Sequence, residues 1–272
     1  MKQKIIVLKF GGSVVTQKGR EQVYIRKQLL TNIAKEIKRS FNGKNFQLIL
    51  IHGAGSAGHQ LAHKYGLKNG AGKDIKKWKG SIVSRLSNQK LNTQILDILI
   101  RNNLPVISAH TSTILIQKEQ KIFDFNLAII QEALKNNCIP LLYGEMVFDK
   151  TLGMTICSGD AIAAYLAKKF PVERILFASD VDGIFDQDPY LNKKARLIEN
   201  IKLKEIFSNK IKLSRSHNVD TTGGIAGKLK AFSDFIDNKS CLKEIVIFNG
   251  FKQGNYEKVL LGKNFKSTII KK

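Results

Sequence analysis

The feature that most constrains the fold is a set of short runs that are apolar at every position. Ile5-Ile6-Val7-Leu8, Leu48-Ile49-Leu50-Ile51, Ile175-Leu176-Phe177-Ala178 and Ile245-Val246-Ile247-Phe248 are four of them. A strand with one wet face alternates apolar with polar residues. A run without alternation is buried on both faces, as inside a parallel sheet. Segments of helical period lie between the runs. Ile25, Leu29, Ile33 and Ile37 form one stripe in 21–39, and Leu91, Ile95 and Leu99 form one in 74–102. Alternating strands and helices imply an α/β fold, a three-layer αβα sandwich around a mainly parallel central sheet.

Strands are expected at 4–10, 46–51, 105–108, 139–143, 174–178, 244–248 and 267–270, with hairpins over 114–123 and 147–156. Further helices are expected at 60–65, 126–136, 158–169, 203–207, 227–238 and 256–261, and the 74–102 helix allows a break at Gly80. Ser158 is placed to cap the 158–169 helix, and Asp160 falls in its first turn. Residues 217–224 read as a loop. No Pro- or Ser-rich linker and no fixed-period repeat divides the chain, so 1–272 reads as a single domain.

Two glycine loops follow strands. Ile51-His52-Gly53-Ala54-Gly55-Ser56-Ala57-Gly58-His59 lies between a strand and a helix, where close backbone approach and helix-start amides favour an anion. Its Gly53, Gly55 and Gly58 also satisfy the dinucleotide fingerprint, but the acidic partner that pattern needs falls on Asp74, in a loop, so the match is incomplete. Lys9-Phe10-Gly11-Gly12-Ser13 ends the first strand. By itself it reads as a tight turn beside a solvated lysine. Two such loops at neighbouring carboxyl strand ends favour a phosphate cradle, where ligands of parallel sheets bind.

Other candidates are weaker. Gly223-Gly224-Ile225-Ala226-Gly227-Lys228 lacks the first Gly and the Ser/Thr of a P-loop, though Lys228 in a first helical turn still suits a phosphate. Asp160, Asp180 and Asp182 sit at strand ends or helix starts, where caps and turns also place carboxylates. His59 and His63 are four apart but have no third partner, so no protein metal ligand is assigned. Ser56 lacks the frame of a nucleophile elbow.

The 45 basic against 22 acidic residues give a net charge of +23. Such charge attracts nucleic acid or small anions. The lysines are scattered with little aromatic interleaving, apart from Lys73, Lys76, Lys77 and Lys79 around Trp78, so a solvated surface is expected and nucleic acid is not. No apolar run approaches the ~18 residues of a membrane span. The direct entry into a strand argues against a signal peptide. Cys138, Cys157 and Cys241 are few and far apart, which points to a reducing, cytoplasmic compartment.

Taken together, five motifs in order resemble the amino acid kinase superfamily, and within it the isopentenyl phosphate kinases. They are Lys9-Phe10-Gly11-Gly12-Ser13 with Lys18, His52 to His59, Ile156-Cys157-Ser158-Gly159-Asp160, Ala178-Ser179-Asp180-Val181-Asp182-Gly183, and Asp220-Thr221-Thr222-Gly223-Gly224 with Lys228. His59 marks the subgroup, a marker shared with fosfomycin-type kinases.

The resemblance implies an amino acid kinase-like fold with an acceptor lobe over about 1–150 and a nucleotide lobe over about 151–272. It implies ATP-dependent phosphorylation of an isoprenoid monophosphate, with Mg²⁺ on the nucleotide, in a homodimer. Lys9, Lys18, His59 and Asp160 would be catalytic. Lys9, Gly11, Gly12, Ser13, Gly55, Asp180, Gly224 and Lys228 would bind ATP, and Ala54, His59 and Gly159 would hold the acceptor phosphate. An imidazole at position 59 suits a phosphate acceptor, which carries about two charges near neutral pH, better than a singly charged carboxylate. Ala57, Ile82, Val83, Leu86 and Ile156 are candidates for the wall of an apolar tail pocket. Ala54 and Ala57 depart from the family pattern, and Glu145 stands where Asp is common. The alternatives are a kinase for another phosphate or phosphonate, or a basic nucleic-acid-binding protein on the same fold.

Overall fold

The computed structural model describes residues 3–17, 23–41, 45–207, 229, 232 and 241–271. In chain order its main elements are β1 (Lys4–Phe10), α1 (Gly12–Val15), α2 (Lys27–Ser40), β2 (Phe46–His52), α3 (Gly55–Lys64), α4 (Ile75–Arg101), β3 (Val106–Ser108), β4 (Leu115–Lys118), β5 (Lys121–Phe125), α5 (Ala128–Lys135) and β6 (Ile139–Tyr143). They continue with β7 (Glu145–Asp149), β8 (Gly153–Cys157), α6 (Gly159–Lys169), β9 (Val172–Ser179), β10 (Asn200–Lys202), α7 (Leu203–Phe207), β11 (Glu244–Asn249), α8 (Asn255–Leu260) and β12 (Ser267–Lys271).

Eight strands form the central sheet in the order β10-β12-β11-β9-β1-β2-β6-β3. Every pairing is parallel except that of β11 with β12. The apolar runs therefore lie where unalternating strands belong. Along β1, Ile5 and Val7 face one core with α6, while Ile6, Leu8 and Phe10 face a second core with α2, α4 and α8. Helices cover both faces, the expected three-layer arrangement.

Register decides where the loops emerge. Phe10 pairs with His52 on one side and Ala178 on the other, and His52 pairs with Tyr143. Four neighbouring strands thus end level, so the loops after β1, β2, β6 and β9 open at one edge. The smaller sheet, β8-β7-β4-β5, joins the two expected hairpins and stands beside that edge.

Three local expectations need correction. The helix placed at 60–65 begins at Gly55, so the second glycine loop contains the first turn of α3. Helix α4 is continuous through Gly80; a Cβ there would lie 2.2 Å from the Tyr65 ring, so the glycine accommodates a packed ring rather than a break. The helix expected at 21–39 starts at Lys27, after a short strand at Tyr24–Ile25. The expected 217–224 loop lies outside the described residues, as does the 227–238 helix apart from Leu229 and Phe232, which are buried. No described helix is long and apolar enough to cross a membrane.

Candidate active site

Lys9 ends β1 on the aligned edge, and Asp160 occupies the first turn of α6. Ser158 caps that helix as expected, its Oγ accepting from Ala161 N at 3.1 Å. The cap fixes the turn, and Lys9 Nζ donates to Asp160 Oδ1 at 2.5 Å. Both residues are buried. A lone charge there would carry a large desolvation cost, so each side chain offsets the burial of the other and fixes its position.

The two glycine loops touch. A Cβ on Gly12 would lie 2.8 Å from Gly55 Cα and 2.9 Å from Gly55 N, closer than side chains are tolerated. Thr16, fully buried, ties them together: it donates to Gly12 O at 3.1 Å and accepts from Ser56 N at 2.9 Å. Gly55 adopts φ +51°, a backbone state that favours glycine. The same closeness recurs at Gly159, where a Cβ would lie 3.1 Å from Lys9 Cε.

These contacts build a cleft of about 660 Å³, its open mouth included. Lys9, Gly11, Gly12, Ala54, His59, Gly159 and Asp160 all line it, so seven of the expected site residues converge. His59 is half-buried on α3, its Nε2 3.9 Å from where a Gly12 Cβ would stand. Gly55 supports the cleft from behind, against Thr16 and Gly12, and is not part of its lining. Ser13 is not in the lining either; its carbonyl accepts from Arg26 Nε at 3.1 Å. Asp180 follows β9 on the same edge, half-buried, with Ser179 Oγ donating to it at 3.3 Å. Lys18, Gly224 and Lys228 lie outside the described residues.

Beneath the second loop His52 is buried, its ring nitrogens 3.0 Å from Gly53 O and 3.2 Å from Asn92 Oδ1, and it stacks on Tyr143. Burial holds its pKa down to about 4, against the hydrogen bonds to Gly53 and Asn92. It is neutral near pH 7 and supports the loop. Cys157 also lines the cleft, but burial pushes its thiol far up, so it offers no thiolate nucleophile.

The expected tail wall is only partly correct. Ile156 lines the cleft, but Ala57 is buried in the core under α2 and α4. Ile82, Val83 and Leu86 are 59%, 38% and 50% exposed. The residues of α4 that face the cleft are Ser84 and Asn88. Glu145 and Met146 of β7 line it too. Glu145 accepts from Ser112 N at 2.7 Å, and burial raises its carboxyl to about 7, offset by the Ser112 amide and the charge of Arg85. Thr16, Ser84 and Asn88 escaped the sequence reading because no local pattern distinguishes them from exposed polar positions.

The comparisons agree with this fold. The amino acid kinase family matches residues 4–249. The isopentenyl phosphate kinase of Methanocaldococcus jannaschii is 35% identical over 270 residues, 95% of each chain. That of Methanothermobacter thermautotrophicus is 30% identical over 272 residues, 98% of each chain. A solved structure described as isopentenyl phosphate kinase superposes with a TM-score of 0.83 at 27% identity, covering 98% of this chain and 100% of its own. From its own motifs through the cleft to these relatives, the chain belongs to the amino acid kinase family.

Proposed function

We propose that the chain transfers the γ-phosphoryl group of ATP to isopentenyl phosphate, giving isopentenyl diphosphate and ADP. The convergence of Lys9, His59 and the Gly12 and Gly159 backbones on one cleft carries this reading. Two polyanions must meet end to end, and phosphoryl transfer requires positioning and charge neutralisation more than covalent chemistry. The acceptor phosphate is held by Ala54, His59 and Gly159. One of its oxygens attacks the γ-phosphorus, and the bond to the β-bridging oxygen breaks with its electron pair leaving on ADP.

Lys9 bridges nucleotide and transferred group, and Asp160 orients it and Lys228. Lys18 stabilises the equatorial oxygens as charge spreads over them. Gly12 and Ser13 serve the ATP phosphates through backbone amides, whereas Gly11, whose amide donates to Ala178 O at 2.9 Å, and Gly55, which backs the first loop, shape the cradle by close backbone approach. Asp180, Gly224 and Lys228 contact the nucleotide. Among the described residues two buried carboxylates line the cleft, and both are engaged, Asp160 with Lys9 and Glu145 with the Ser112 amide. Mg²⁺ would therefore be carried by the nucleotide's own oxygens, where it supplies further charge neutralisation. Among the described residues no cluster of three or more His, Cys, Asp or Glu side chains could hold a metal.

Residues 1–150 are read as the acceptor lobe and 151–272 as the nucleotide lobe. Unpaired Cys138, Cys157 and Cys241 support a cytoplasmic site of action. The exposed Ile82, Val83 and Leu86 of α4 support a homodimer, as an apolar stripe on a surface helix calls for a cover.

The test is ADP release with ATP, Mg²⁺ and isopentenyl phosphate, beside fosfomycin and amino-acid acceptors. Turnover specific to the isoprenoid phosphate is expected. His59→Ala should lower kcat/KM roughly 100-fold or more with an unchanged melt. Turnover with fosfomycin or an amino acid alone would reject the reading, and full activity of the variant would remove the role of His59.

A further inference from the structure

The peptide between Gly53 and Ala54 is gripped from outside the cleft. Gly53 N donates to Phe10 O at 2.9 Å, and a Cβ on Gly53 would lie 2.8 Å from Gly12 N, so the residue is wedged against the first loop. Its carbonyl accepts from His52 Nδ1 at 3.0 Å. A carbonyl only accepts, so the neutral imidazole carries its proton on Nδ1. Across a trans peptide the C=O and the following N–H point in opposite directions. His52 is buried and is not in the cleft lining, whereas Ala54 is. Drawing Gly53 O toward His52 therefore aims the Ala54 N–H at the cleft.

The ring that does this is itself held in plane. Tyr143 stacks on it, the centroids 5.1 Å and the planes 6° apart. Tyr143 is fixed in turn, its hydroxyl 2.7 Å from His110 Nδ1 and its carbonyl accepting from Thr111 Oγ1 at 2.7 Å. At the ring's far edge Nε2 lies 3.2 Å from Asn92 Oδ1, and Asn92 Nδ2 is 2.7 Å from Ser108 Oγ. With the proton on Nδ1, Nε2 carries a lone pair. A half-turn of the Asn92 carboxamide exchanges its two ends, giving that lone pair an NH₂ donor and the Ser108 hydroxyl an acceptor.

We propose that His52 is a positioning residue for the acceptor: its Nδ1–H holds the Gly53 carbonyl so that the Ala54 amide faces the acceptor phosphate. The inference rests on the reading of this cleft as the phosphate-acceptor site and names the group that orients one of its donors. His52 acts through the backbone and does not touch the substrate. The plane it holds follows a glycine, the residue whose backbone is least restricted, so without a partner for the carbonyl the plane is free to turn. An amide donating to a charged oxygen is a strong hydrogen bond, and it is worth most when it is aimed before the ligand arrives.

The experiment measures KM for isopentenyl phosphate and for ATP, with Mg²⁺, in the full chain and in variants at position 52. His52→Phe keeps a ring to stack on Tyr143 but has no donor. It should raise KM for isopentenyl phosphate by roughly tenfold or more and leave KM for ATP within about twofold. His52→Asn carries an amide nitrogen where Nδ1 stood and should restore most of that loss. A packing role alone would rank the two the other way, since phenylalanine fills the buried space better than asparagine. An unchanged KM for isopentenyl phosphate in His52→Phe, an equal rise in both KM values, or no rescue by His52→Asn overturns the inference and leaves the proposed kinase standing. A wild-type chain that does not turn over isopentenyl phosphate overturns both readings. Should His52→Phe not fold, His52→Gln, which has no donor at the place of Nδ1, replaces it; should His52→Asn not fold, the split between the two KM values decides.

Discussion

Replacing Gly12 with alanine tests the contact on which the cleft is built. A Cβ at position 12 would stand 2.8 Å from Gly55 Cα, about 0.6 Å inside the 3.4 Å at which ordinary contact begins. The obstacle is backbone, so no rotamer change relieves it. Gly55 cannot retreat freely either, because Thr16 holds both loops through Gly12 O at 3.1 Å and Ser56 N at 2.9 Å. The loops must separate by a substantial fraction of an ångström. Overpacking of this size costs about 1–3 kcal/mol of stability. In a chain of this length that lowers Tm by roughly 2–4 °C for each kcal/mol. The effect on catalysis is larger, since misplacing reacting groups by ~1 Å can cost about 100-fold in rate. Gly12→Ala should therefore melt a few degrees early and lose between 10- and 100-fold in kcat/KM by the same argument, measured by coupled ADP release. Gly72→Ala is the control: nothing lies within 4 Å of its Cβ, but φ is +52°. It should lose about 1–2 kcal/mol through backbone strain alone, with kcat/KM unchanged. Wild-type kcat/KM in Gly12→Ala would refute the claim that contact between the two loops sets the geometry of transfer.

Further outcomes follow from the buried charges and the exposed helix face. Asp160→Ala should destabilise by about 3–5 kcal/mol in chemical denaturation, because Lys9 is left buried without its partner; a loss under about 1 kcal/mol would show that the pair is not held from water. Glu145 has a folded-state pKa of about 7, above its ordinary value of 4.5, so its contribution is full below pH 4.5 and is lost as pH rises through 7. The gap corresponds to on the order of 3 kcal/mol, and Glu145→Gln should gain stability relative to wild type between pH 5 and pH 8; a pH-independent difference would contradict it. Leu86→Glu should shift the proposed homodimer to monomer in sedimentation velocity, since a charge placed in the exposed apolar stripe of α4 opposes its burial against a second copy; an unchanged coefficient would place the interface elsewhere.

The sequence by itself determined the layers. Unbroken apolar runs such as Ile5 to Leu8 and Ile245 to Phe248 fit only strands covered on both sides, and the observed sheet uses them so. It also marked seven residues that line the cleft, Lys9, Gly11, Gly12, Ala54, His59, Gly159 and Asp160, because they sit in local motifs at strand ends and helix starts. Only the tertiary structure decided what those residues face. Thr16 matters because two loops 40 residues apart come into contact there. Register, not pattern, brings Phe10, His52, Tyr143 and Ala178 level. The turn of α4 about its axis decided that Ser84 and Asn88, and not Ile82, Val83 and Leu86, face the cleft. Periodicity gives the angle between residues on a helix but not which stripe meets the ligand. That choice belongs to the packing of α4 against α2, α3 and the smaller sheet, a sum of contacts between segments that no window of sequence contains.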